Sequence, residues 1–126
     1  MKRILVMMML AVALCGSAMA QTSLGQRVWF KKDSVNVQLS QEAMVGMVAE
    51  YINNHADKIY IVAGFTSTDT PEVQRDELCE ARAKAVVKML VEKYNVNPEI
   101  LVPIGVGVST RSDENEFNEY VTFFTK

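Results

Sequence analysis

Lys58-Ile59-Tyr60-Ile61-Val62-Ala63-Gly64 is a nearly continuous apolar run, and beyond Phe65-Thr66-Ser67-Thr68-Asp69 comes Thr70-Pro71-Glu72, then a periodic stretch ending at Tyr94-Asn95. The first run is short, β-branched and bounded by turn residues, so it predicts a buried strand. The second opens with a hydroxyl residue, a proline and an acid, the order of a helix start. Asn95 can take the left-handed conformation that closes a helix, so the pattern predicts a helix from Thr70 to about Tyr94. Leu78, Cys79, Arg82, Ala85, Val86, Met89 and Leu90 fall on one face. Glu80 and Lys84 stand four apart and form a solvated pair worth a few tenths of a kcal/mol.

On the N-terminal side, Gln26-Arg27-Val28-Trp29-Phe30 follows Gly25 and is β-prone. The polar stretch 31–37 reads as a connection. Ser40 then offers an N-cap, with Glu42 in the first turn, and Met44, Met47, Val48, Tyr51 and Ile52 recur as the stripe of an amphipathic helix. On the C-terminal side, residues 100–108 read as a strand in which Pro103 demands an edge position or a bulge. A polar loop, 109–117, leads to a last strand, 120–124. The order strand, helix, strand, helix, strand, strand predicts an α+β fold. It is a two-layer α/β sandwich, β-α-β-α-β-β, with two helices on one face of a mixed sheet: the βαβ units form parallel pairs and the last strand returns antiparallel.

The first twenty residues have a different character. Lys2 and Arg3 precede a run from Ile4 to Leu14, and Ala18-Met19-Ala20 follows, which is the charged, apolar and small-residue order of a secretory signal. We expect cleavage after Ala20, leaving 21–126 as a single domain. A rival reading lipidates Cys15 as an outer-membrane lipoprotein, but Leu14 occupies the place where such a signal needs a small residue. The apolar run is too short to span a bilayer, and no later segment approaches the ~20 residues required, so no transmembrane segment is expected in the mature chain.

Without the signal, 11 basic residues face 15 acidic ones, a balance that opposes a nucleic-acid partner held through phosphates. One cysteine, Cys79, remains, so no disulfide or metal knuckle is expected within the mature chain, and its helical position predicts burial. His55 sits in a polar helix end without catalytic partners. No nucleophile beside a base, no HExxH and no phosphate-binding glycine loop is present, so neither an enzyme nor a bound cofactor is expected.

Ile61-Val62-Ala63-Gly64-Phe65-Thr66-Ser67, then Leu78-Cys79-Glu80-Ala81-Arg82-Ala83-Lys84-Ala85-Val86, then Gly105 and Gly107, and finally Asn118 with Val121 and Phe123, keep a common order and spacing. Together they resemble the OmpA-like, peptidoglycan-associated domain of outer-membrane proteins and of the lipoprotein Pal, over about 28–123. The resemblance implies a periplasmic domain that holds the diaminopimelate of the cell-wall stem peptide, using an aspartate after the second strand and the helix arginine. A guanidinium can clamp a carboxylate with two donors, and an aspartate can neutralise an amine. Carried onto this chain, it implies a ligand-binding set of Arg82, Asp69, Ser67, Thr66 and Arg75, with peptidoglycan as the partner.

The departures are equally specific. Ser67 stands at the family's aspartate, with Asp69 two residues on; Arg75 replaces an asparagine, Cys79 a serine, Phe65 a histidine, and Glu119-Tyr120 an Arg-Arg pair. Two readings of Arg82 follow. In one it captures a ligand carboxylate; in the other its stem packs on the sheet and its head pairs with Glu80, Asp69 or Glu119. Asp69 likewise reads either as a ligand contact or as part of an ordinary turn. The protein is then either a peptidoglycan-binding module or a diverged structural or protein-interaction module of the envelope, with an envelope protein as partner.

Overall fold

A computed structural model describes residues 22–126. The expected signal sequence at 1–20, with Cys15, lies outside them. The elements are β1 (Thr22–Trp29), α1 (Glu42–Asn54), β2 (Tyr60–Thr66), α2 (Arg75–Tyr94), β3 (Leu101–Val108) and β4 (Tyr120–Thr125), with short 3-10 turns before both helices and before β3 and β4. The two helices pack on one face of a mixed four-stranded sheet, as expected.

Strand order is β1-β4-β2-β3. β2 and β3 pair in parallel, whereas β4 runs antiparallel to both β1 and β2. Sequence patterning predicts two parallel pairs; only the second forms, because β4 inserts between β1 and β2. β3 is an edge strand, and Val106 is extra in its register, with Gly64 opposite Gly105 and Phe65 opposite Gly107. Pro103 therefore lies on an edge that also carries a bulge, and the ladder loses little from its missing N–H.

The core lies between sheet and helices. Val28, Val62, Val121 and Phe123 from the strands meet Val45, Ile52, Val86 and Leu90 from the helices, all fully buried. Each such side chain contributes about 1.5–3 kcal/mol of transfer free energy. The buried face of α1 is Val45, Val48, Ala49 and Ile52, one residue displaced from the expected stripe. Met47 is 61% exposed and Tyr51 40%, so neither is a core residue. α1 also starts later than expected. Ser40 lies in the preceding 3-10 turn and gives no side-chain cap; instead Gln41 Oε1 accepts from the Trp29 N–H at 3.0 Å and ties the helix entry to β1.

α2 lies close against the sheet because two glycines let it. A Cβ on Gly64 would stand 2.0 Å from the Cys79 carbonyl oxygen, and one on Gly105 would stand 2.7 Å from the Glu80 nitrogen. α2 ends as expected, with Asn95 left-handed at φ 58° and the Val96 N–H returning to Leu90 O at 3.0 Å. Its start differs: Pro71 precedes a 3-10 turn, and no Thr70 side-chain cap forms. Among the described residues no helix is long and apolar enough to cross a membrane.

Candidate functional site

The close seat of α2 carries Arg82 to the C-terminal end of β2. There the arginine is fully buried, and four groups from three segments claim its donors. Nη1 donates to Glu119 Oε1 at 2.7 Å and to the Phe65 carbonyl at 3.0 Å; Nε donates to Ser34 O at 2.8 Å and Nη2 to Lys31 O at 3.1 Å. The guanidinium carbon lies 5.2 Å from the Phe30 ring centroid. Arg82 thus pins the loop after β1, the end of β2 and the residue before β4 to one point.

Glu119 is buried to the same degree, its side chain 2% exposed. Oε1 accepts from Thr66 Oγ1 at 2.8 Å as well as from Arg82, and Oε2 accepts from Ser67 Oγ at 2.7 Å. Thr66 spends its proton on Glu119, so in the 2.7 Å contact between Thr66 and Thr70 the Thr70 hydroxyl is the donor. α2 is entered through a 3-10 turn whose cap position is Pro71 and begins only at Arg75, so Thr70 lies outside the capping position. Burial by itself would push the Glu119 carboxyl up. The hydrogen bonds from Ser67, Arg82 and Thr66, with the Arg82 charge, outweigh it and hold the carboxyl below its ordinary range.

Asn118 sets the position of Glu119. It is buried, donates to Ser112 O at 2.9 Å and accepts from the Ser112 N–H at 3.0 Å, which folds the loop before β4 back on itself.

Of the residues that the sequence nominates, the structure gathers Arg82, Ser67 and Thr66 and leaves two on the rim. Asp69 is exposed and enters the network through its backbone N–H, which donates to Ser67 Oγ at 3.1 Å. Arg75 is half-buried and braces the loop, Nε donating to Thr70 O at 2.8 Å and Nη2 to Thr68 O at 3.4 Å. Sequence reasoning does not place Glu119 in the ligand set, although it is one of the three acids that Arg82 could pair with. The signal for it was the paired departure at 67 and 119: the family's acid after β2 is gone, and an acid has arrived where the family has an arginine.

Chemically the arrangement is a filled clamp. A guanidinium suited to a carboxylate already holds one, supplied by the chain itself, and the two hydroxyls satisfy what remains. Cys79, beside the site on α2, is fully buried and its Sγ lies 3.6 Å from Gly107 O; burial pushes its thiol up. His55 is exposed, stacked on Tyr51, with Nδ1 2.9 Å from Tyr51 O. A cleft of about 490 Å³ opens elsewhere, between β1 and α1, and is lined by Leu24, Met47, Tyr51 and Lys58 among others.

The sequence model of the OmpA family matches residues 29–121. Among solved structures, the peptidoglycan-associated lipoprotein of Burkholderia pseudomallei superposes with a TM-score of 0.71 at 21% identity, covering 80% of this chain and 90% of that one. The C-terminal domain of Helicobacter pylori MotB gives 0.70 at 25% identity, over 80% and 84%. The OmpA-like domain of FopA1 from Francisella tularensis gives 0.69 at 16%, over 79% and 72%. At 21% and 16% identity the likeness concerns the fold alone. No curated protein sequence matches significantly.

Proposed function

The chain belongs to the OmpA family, and from that premise we propose that it is a non-catalytic module of the bacterial periplasm whose ligand clamp is closed from within. Arg82 serves the architecture of the domain, and the protein works through contacts with other envelope proteins rather than by seizing a stem peptide. The observation that carries this reading is the Arg82–Glu119 pair, at 2.7 Å and with side-chain exposures of 0% and 2%. A ligand carboxylate reaching Arg82 would have to expel Glu119 and leave it buried without its cation, and breaking such a pair costs about 3–5 kcal/mol. The family's acid has in effect moved from position 67 to position 119, where it faces the arginine instead of an incoming amine.

A second reading keeps peptidoglycan as the partner and places the contact on the rim, at Asp69 and Arg75. It is favoured by the hydrogen bonds that Arg75, at the start of α2, makes to the loop that carries Asp69, and by the likeness to a peptidoglycan-associated lipoprotein. Sedimentation with purified sacculi separates the two. The closed clamp predicts that the secreted chain stays in the supernatant. Pelleting that is lost in Asp69→Asn or Arg75→Gln, with the melting temperature unchanged, would establish the rim instead.

A further inference from the structure

α1 carries two large apolar side chains that the core does not use. Met47 and Tyr51 stand one turn apart, 61% and 40% exposed, and form one wall of the cleft of about 490 Å³ between β1 and α1, with the buried Val48 behind them. The facing strand is different in kind: Thr22, Ser23 and Gln26 line it with hydroxyl and amide groups. A cation completes the lining. Lys58 is exposed and makes no ion pair among the described residues. It precedes β2, and because Thr22 of β1 and Tyr60 of β2 both pair with Thr125, it stands at the Thr22 end of the cleft. The volume is that of a small-ligand site. Its three kinds of lining specify a ligand with one apolar group, one hydrogen-bonding side and one negative charge.

β1 tells which ligand has that chemistry. It is an edge strand with β4 on its one paired side. At Trp29 the chain covers its own open edge: the N–H donates to Gln41 Oε1 and the carbonyl accepts from Gln38 Nε2, both at 3.0 Å. No described side chain does this at the other end of the strand, where Ser23 and Leu24 border the cleft. An acyl chain lying there would cover the polar groups of the strand with hydrocarbon and leave them unsatisfied. A peptide meets both walls at once, its backbone pairing with the strand and an apolar side chain lying against Met47 and Tyr51. The register of β1 shifts between Ser23 and Arg27, with Gly25 at φ 83°, which limits such pairing to a short stretch. A peptide running antiparallel to β1 reaches its own carboxyl end at Lys58. We propose that the cleft binds the free carboxyl terminus of a partner protein: its last residues add antiparallel to 22–24, an apolar side chain packs on Met47 and Tyr51, and the terminal carboxylate meets Lys58. The inference rests on reading the chain as a protein-interaction module and gives that partner a chemical class, at a site that shares no residue with the Arg82 network.

The test titrates the protein, as purified from the cells that secrete it, with synthetic hexapeptides that are acetylated at the amino end and finish in leucine, phenylalanine or valine. Each is used with a free carboxylate and as its carboxamide. Calorimetry gives the affinities, and the Met47 methyl and the backbone amides of 22–24, followed by NMR, report on the cleft. We expect saturable binding with shifts centred on those signals, and the best carboxylate peptide about fivefold tighter than its carboxamide, the upper worth of an exposed ion pair. Lys58→Met should erase that preference. Met47→Asp, at unchanged melting temperature, should weaken both forms by about tenfold or more. No saturation by any of the peptides up to about 5 mM, equal affinities of the two forms, or a preference that survives Lys58→Met overturns the proposal. So does tighter binding of dodecanoate, which would make the cleft a lipid site, or a set of shifts that falls at Ser67 and Asp69 instead. Failure here leaves the Arg82–Glu119 pair untouched, and the closed clamp stands or falls on the sacculi separately.

Discussion

Replacing Glu119 by glutamine keeps the shape of the side chain and removes its charge. Arg82 would remain fully buried, still held by the carbonyls of Lys31, Ser34 and Phe65, but without a counter-charge. The new amide nitrogen would also face a donor, either the Ser67 hydroxyl or the Thr66 and Arg82 pair, whichever way the amide turns. Removing one partner of a buried pair costs about 3–5 kcal/mol, a large part of the ~5–15 kcal/mol that holds a domain folded. At ~4–8 °C per kcal/mol for a domain of this size, the melting temperature should fall by roughly 12 °C or more. Thermal and urea melts followed by circular dichroism at pH 7 measure it. A double-mutant cycle with Arg82→Met should show the two losses to be strongly non-additive. A loss below about 1 kcal/mol, the value of an exposed pair, or simple additivity, would refute the coupling.

The same pair makes stability depend on pH. Because the Glu119 carboxyl is held low in the folded state, its contribution is present above the unfolded carboxylate pKa of ~4.3 and lost as pH falls through the lower folded value. Urea midpoints between pH 7 and pH 3 should show that loss, and Glu119→Gln should flatten it. Cys79 should resist maleimide at pH 7–8 in the native protein and react once urea unfolds it, as its full burial and raised thiol require; mass spectrometry reads the addition. Gly64→Ala should cost about 1–3 kcal/mol or more in denaturant melts, since the new methyl would meet the Cys79 carbonyl. Combining Ser67→Asp with Glu119→Arg returns the charges to the family's arrangement, and the double variant should pellet with sacculi when the parent does not.

Much of the fold was legible because its central segment carries strong local signals. The apolar run into β2 and the periodic stretch of α2, closed by Asn95, each admit one reading. α1 was less clear, since stripes through Met44-Met47-Val48-Tyr51 and through Val45-Val48-Ala49-Ile52 share residues, and Ala49 adds little to a hydrophobic pattern although it packs in the core. Strand order was not legible at all. β4 enters between β1 and β2 by pairing at long range, and nothing in residues 120–125 records which neighbours it will meet. The site divides in the same way. Arg82 was visible from its place in the helix motif, and Cys79 from its helical face. That Arg82 chooses Glu119 over Glu80 or Asp69 depends on the loop 109–119 being folded by Asn118, a tertiary fact. Thr70 shows the same limit: a hydroxyl before proline predicts a cap, but a 3-10 turn at 72–74 moves the helix start to Arg75, and the Thr70 hydroxyl meets the buried Thr66 instead.

Whether Arg82 is committed to its internal partners separates a closed clamp from an open one, and the side-chain Nε–H of that residue can be observed by two-dimensional NMR. Donated to Ser34 O and fully buried, it should give a resolved resonance that exchanges slowly with water at pH 7 and does not move when a diaminopimelate-containing stem peptide is added. A resonance that exchanges rapidly, or one that shifts saturably as the peptide is titrated, would show that the clamp opens and that Glu119 does not close it.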